Sequence, residues 1–125
     1  SDTIFPYGNN PTPSQHRAHA WYGTTSTQEV ASLEPNTLGL YDMHGNVWQW
    51  VSDWYGEEFC LNNYHSSGSC HLTDPQGPSS GDRRVIRGGG YSAPDVWSLA
   101  SAMRTSIRPT DGWRHIGFRL ARTKQ

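Results

Sequence analysis

The clearest hydrophobic pattern in the chain runs from Val47 to Trp54. Val47, Gln49 and Val51 alternate there with Trp48, Trp50 and Ser52. A period of two places successive side chains on opposite faces, so the segment is expected to be a strand with aromatic faces. Just before it, Leu40, Tyr41 and Met43 are spaced for one helical turn, closed by Gly45-Asn46. Arg84 to Arg87 reads as a short strand that ends in Gly88-Gly89-Gly90. Ile116 to Ala121 reads as a terminal strand with Ile116, Phe118 and Leu120 on one face.

The spacers between these segments are polar and rich in turn residues. Ser1 to Ala20 is an irregular arm by pattern, because Asn10-Pro11 and Thr12-Pro13 disfavour helix at the preceding residues. Glu34-Pro35-Asn36 introduces a turn. Glu57 to Asp82 is a long polar loop with few apolar anchors, and Tyr91 to His115 is loop-rich. No internal repeat is present. The expected architecture is a twisted, mostly antiparallel β core with much ordered loop and little helix.

Composition tests whether such a chain can bury a core. The hydrophobic fraction is only 34%, low for a globular domain. Six Trp, six Tyr and three Phe offset this, because each aromatic buries far more area than Ala or Val. At 125 residues the chain reads as one domain, residues 1–125. A net charge of -1, with both signs interspersed, carries no electrostatic footprint for nucleic acid or an anionic membrane. No apolar run approaches a transmembrane length. Cys60 and Cys70 flank a loop that could close as a disulfide or hold two free thiols, and spacing does not decide between them. With no Cys-X-X-Cys pair and six scattered histidines, a zinc site is not expected.

Three blocks stand in fixed order: LGLYDMHGNVWQWVSDWYG from Leu38 to Gly56, RVIRGGGY from Arg84 to Tyr91, and IGFRLAR from Ile116 to Arg122. Together they resemble the formylglycine-generating-enzyme, or sulfatase-modifying-factor, family. Pro6-Tyr7-Gly8-Asn9 resembles a further stretch of that family. The resemblance implies an α+β class, mostly irregular and β: a C-type lectin fold of the formylglycine-generating-enzyme type, reduced in size. Family members usually carry another half-domain with helices upstream, so the chain is either a fragment or a reduced version of the fold.

What the resemblance implies about chemistry is checked residue by residue. Formylglycine-generating enzymes use a cysteine pair after the RGG block to hold copper, which in its Cu(I) state prefers thiolate. The corresponding segment here, Tyr91 to Ile116, contains no cysteine. A second branch of the family binds iron through histidines of a separate helical domain. The histidines here, His16, His19, His44, His65, His71 and His115, show no such spacing, and His16 and His19 read as a solvated arm. Relatives often carry GNVWEW, its Glu near a structural calcium. The neutral Gln49 stands in that place, with Asp42 and Asp53 nearby in sequence. Losing a carboxylate weakens a hard-cation site, so no cofactor is expected. Trp48, Trp50 and Phe118 are expected to be core, and Arg87 and Arg119 structural clamps.

The segment between the RGG and GFR blocks is the functional candidate. It resembles the variable region of diversity-generating-retroelement variable proteins, which carry this fold and end shortly after the last block. The resemblance implies a non-catalytic protein that displays a variable binding surface over residues 91–115. The residues expected to bind are Tyr91, Ser92, Asp95, Val96, Trp97, Ser98, Thr105, Ile107, Asp111, Trp113, Arg114 and His115. Large aromatics and Arg carry most binding energy in such patches. The expected partner is a protein, with no nucleic acid and no membrane insertion; the compartment stays open, an extracellular or virion surface being one option. The alternative is a catalytically degenerate or partner-dependent member of the formylglycine-generating and sulfoxide-synthase oxidases.

Overall fold

The computed structural model describes residues 3–57 and 77–121. Cys60 and Cys70, and most of the long polar loop, lie outside the described residues. Four strands form one sheet in the order β3-β2-β1-β4. They are β1 (Trp48–Trp54), β2 (Arg84–Arg87), β3 (Arg104–Ile107) and β4 (Ile116–Gly117). β1 pairs antiparallel with β2, and β2 antiparallel with β3. β4 pairs parallel with β1, so one of the three ladders departs from the antiparallel expectation. A register irregularity between Trp50 and Trp54 bends β1.

The arm contains a helix, α1 (Pro13–His19), where the proline-rich pattern predicts irregular backbone. Its Pro occupies the first helical position, where its missing N–H would have had no partner anyway. Thr12 caps the helix. Its backbone N–H donates to Gln15 Oε1 at 2.8 Å while its hydroxyl accepts from the Gln15 N–H at 3.4 Å. That reciprocal pair is a capping box. The helix turns His16 inward, where it is 5% exposed beside Phe5 at 4.8 Å and accepts or donates to the Tyr7 hydroxyl at 2.9 Å. His16 is therefore not on a solvated arm. Phe5, Ala20 and Leu99 form the core, with Tyr7, Tyr22, Val96 and Ala100 packed against it.

Three further expectations are corrected. Leu40 to Met43 is not helical, and Asp42 sits at φ 53°, outside the right-handed region. The terminal strand is only Ile116–Gly117, and Phe118 and Leu120 are 75% and 88% exposed. Trp48 and Trp50 are half-buried rather than core. The buried apolar side chains of the sheet are instead Val85, Ile86 and Ile107.

Gly45 and Asn46 set the geometry that joins arm, sheet and loops. Gly45 has φ 77°, and a Cβ there would lie 2.4 Å from the Trp21 carbonyl oxygen, so only glycine fits. Asn46 follows at φ 60° and is 5% exposed. Its N–H donates to the Trp21 carbonyl at 2.8 Å and its own carbonyl accepts from Tyr91 N–H at 2.7 Å. Its side-chain amide closes a two-way pair with the Gln28 backbone at 3.0 and 3.1 Å. One buried residue thus ties three separate loops together, two through its backbone and one through its side chain.

Candidate functional site

The segment 91–115 is more ordered than a loop-rich reading suggests. It contains a short 3₁₀ helix (Val96–Leu99) and all of β3. Four inward residues anchor it: Tyr91, Ala93, Leu99 and Ile107, all buried. Backbone bonds fix its first turn, from Gly23 N–H to the Ala93 carbonyl at 3.1 Å and from Thr24 N–H to the Tyr91 carbonyl at 2.8 Å. Farther on, Ser101 N–H donates to the Ile4 carbonyl at 2.8 Å, and Trp48 N–H to the His115 carbonyl at 2.8 Å. The segment is held to the arm, the helix-following loop and β1, so its exposed side chains project from a fixed backbone.

The twelve expected binding residues divide by burial. Ser92, Asp95, Trp97, Asp111, Trp113 and Arg114 are exposed. Val96, Ser98, Thr105 and His115 are half-buried. Tyr91 and Ile107 are buried at 7% and 8% exposure, and this corrects their expected place on the surface. Tyr91 packs inward where the RGG block ends, and Ile107 pairs with Arg84 at the end of β3. Asp95 already has internal work. Its carboxylate accepts from the N–H groups of Trp97 at 3.0 Å and Ser98 at 3.4 Å, capping the 3₁₀ helix.

Two aromatic groupings emerge. Trp113, 57% exposed, meets His115 edge-on at 5.3 Å, and His115 meets Tyr91 at 6.4 Å. This row runs from solvent down to the framework. Trp97, 64% exposed, leans on Phe5 at 6.3 Å. Each exposed indole thus rests on a better-buried ring, which lowers the entropy lost when a partner covers it.

The metal expectation can be examined at Gln49. Its Nε2 donates to the Asp42 carbonyl at 2.6 Å and its Oε1 accepts from Arg119 Nε at 3.0 Å. The Asp42 carboxylate accepts from Ala31 N–H at 2.7 Å. A guanidinium thus already engages the Gln49 side-chain oxygen. Among the described residues no group of three or more His, Cys, Asp or Glu could hold a metal. Arg119 also donates through Nη2 to the carbonyls of Tyr41 at 2.6 Å and Asp42 at 3.2 Å, and Arg87 donates to the Ser101 carbonyl. Both clamp backbone, as expected, without a carboxylate. His44, half-buried, is the residue that motif reading passed over. Its Nδ1 is buried without a partner, and burial, with the nearby Arg87 charge, lowers its pKa despite the opposing Leu99 carbonyl.

Comparison with known proteins decides the family. The sulfatase-modifying factor enzyme 1-like domain matches residues 1–124. The chain belongs to that family. The formylglycine-generating enzyme of Thermomonospora curvata is 34% identical over 132 residues, covering 94% of this chain and 42% of that protein. Serine/threonine-protein kinase pkn1 of Chlamydia pneumoniae is 45% identical over 106 residues, covering 85% of this chain and 16% of the kinase. Among solved structures, variable protein 1 of Treponema denticola superposes with a TM-score of 0.75 at 34% identity, over 94% of this chain and 40% of that one. The fold is accordingly the C-type lectin fold of the formylglycine-generating-enzyme type, mostly β with one short helix. The chain spans only 33% to 42% of the length of the formylglycine-generating enzymes it matches.

Several large apolar side chains are exposed. Val30, Leu38, Leu40, Tyr41, Phe118 and Leu120 are each at least 40% exposed. Val30, Leu40, Tyr41 and Phe118 line one shallow cavity of about 410 Å³. Phe118 and Leu120 continue the last sequence block, whose alternation alone would place them in a core.

Proposed function

We propose that this family member is a non-catalytic binding protein, in which residues 91–115 display exposed side chains on a rigid framework. The observation that carries this reading is the separation of roles within the segment. Tyr91, Ala93, Leu99 and Ile107 are buried anchors, while Ser92, Trp97, Asp111, Trp113 and Arg114 project outward. Exposed positions on a fixed backbone contribute little to the core and can change without unfolding it. The likeness to variable protein 1 of Treponema denticola supports the reading. So does the lack of any cysteine between Tyr91 and Ile116, because copper-dependent oxidation of a thiol needs soft sulfur ligands.

The partner best suited to this face is a protein. Two exposed indoles and the exposed Arg114, Asp111 and Ser92 are the residue types that serve as anchors and polar rim of protein interfaces. Tyr91 and Ile107 act from beneath, and Asp95 as a cap. The test replaces Ser92, Asp111, Trp113 and Arg114 together by Ala. Cooperative urea unfolding with a midpoint near the parent's is the expected result. Loss of cooperative folding would show these positions to be framework and overturn the proposal.

A second reading rests on one specific finding: several relatives are formylglycine-generating enzymes. In it, the chain is the degenerate or partner-dependent part of an oxidase. Elemental analysis separates the two readings, since copper or iron retained stoichiometrically after purification favours the oxidase.

A further inference from the structure

A cavity of about 550 Å³ opens beside β1, with Trp50, Met43, Ala100 and Ala121 in its wall and Arg87 and Arg119 both lining it. No Asp or Glu lines it. The two arginines reach it from opposite sides of Gln49. Arg87 is the cross-strand neighbour of Gln49 on β2, and Arg119 is hydrogen-bonded to the Gln49 side chain.

Each guanidinium is fixed in place by neutral acceptors only. Arg119 uses Nε and Nη2 on Gln49 Oε1 and two backbone carbonyls, and Arg87 uses Nη2 on the Ser101 carbonyl. Five N–H groups per guanidinium leave Nη1 of Arg119, and most of the Arg87 fork, without an acceptor among the described residues. The sole ion pair among the described residues joins His19 and Glu34, far from either arginine in sequence. A carboxylate at position 49 would neutralise Arg119; the amide of Gln49 does not. The cavity therefore carries two positive charges, already held in position, over a partly apolar wall.

We infer that this cavity is a binding site for a small organic carboxylate with an apolar or aromatic body. Guanidinium matches a planar carboxylate through two parallel N–H···O bonds, and pre-anchoring reduces the entropy lost on binding. The volume lies within the usual range for small-molecule sites. Trp50 and Met43 supply the surface against which an apolar body would pack. The site uses none of the exposed residues assigned above to the protein-binding face, so either proposal can fail without the other.

The test titrates the 125-residue chain with benzoate, following Trp indole N–H resonances by NMR. The neutral isostere benzamide, phenyl phosphate and inorganic phosphate are titrated in parallel. Saturable benzoate binding with a Kd of roughly millimolar is expected. Benzamide and inorganic phosphate should each bind at least ~10-fold more weakly, because one lacks the charge and the other the apolar body. Arg87→Gln should weaken benzoate ~10-fold while the chain still unfolds cooperatively in urea, since Arg87 is exposed and holds a single carbonyl. Arg119→Lys serves as a second variant and should weaken benzoate through loss of the fork. Phenyl phosphate binding more tightly than benzoate would overturn the carboxylate assignment. Equal affinity for benzamide, an unchanged Kd in Arg87→Gln, or no saturation by benzoate would overturn the site.

Discussion

Replacing Asn46 by Ala tests what its buried side-chain amide contributes to the framework. Asn46 is buried, and its side chain makes two hydrogen bonds to the Gln28 backbone at 3.0 and 3.1 Å. Truncation removes both, at about 0.5–1.5 kcal/mol each. The backbone at φ 60° adds a further cost. Asn tolerates that left-handed conformation, and Ala pays roughly 1 kcal/mol more. The sum is about 2–4 kcal/mol, a large share of the stability of a small domain. Asn46→Gly loses the same two bonds and avoids the backbone term, so it should fall short of the Ala variant by roughly 1 kcal/mol. Urea unfolding followed by Trp fluorescence measures both, provided the slope with denaturant stays constant. A midpoint for Asn46→Ala within about 0.5 kcal/mol of the parent would refute the reasoning. The Asn46 amide would then be a bystander, and the hold on the Gln28 backbone would need another explanation.

Asp95→Ala should destabilise by about 0.5–2 kcal/mol in the same assay through loss of the cap on Trp97 and Ser98, and Asp95→Asn should restore most of it. Phe118→Ser should change stability by less than about 0.5 kcal/mol, because the ring is exposed; a core-sized loss would mean that Phe118 is buried after all. The histidines predict a pH dependence. His44 and His16 both have pKa values lowered by burial from the ordinary 6.5. The unfolded chain then takes up these protons first, so stability should be fully present above about pH 7 and decline as pH falls through about 6. His44→Asn should show a shallower decline than the parent between those pH values, and an equal slope would remove His44 from the account.

Much of this architecture was readable from particular residues. The Val47 to Ser52 alternation gives β1 directly, and the short apolar pair Val85-Ile86 before three glycines marks β2. Pro11 and Pro13 disfavour helix at the residues before them, so the pattern hides α1. Pro13 in fact starts the helix, and Thr12 with Gln15 forms the capping box. The segment 91–115 lacks a strong period, so its 3₁₀ turn and β3 come from tertiary pairing with β2 rather than from pattern. Phe118 and Leu120 illustrate the opposite limit. Their alternation signals burial, yet β4 ends at Gly117 and nothing among the described residues covers them. The role of Asn46 depends on a positive φ and three separate loops, and GNVWQW shows only that an Asn follows a Gly.

The central claim is that exposed positions of residues 91–115 choose the partner while the scaffold stays fixed. A displayed library randomised at Ser92, Trp97, Thr110, Asp111, Trp113 and Arg114, selected against an arbitrary folded protein, measures this most directly. The account predicts that most members resist proteolysis like the parent, and that selection yields binders whose affinity is lost when the parent residues are restored. A library whose members mostly unfold, or that yields binders only from changes outside residues 91–115, would contradict it.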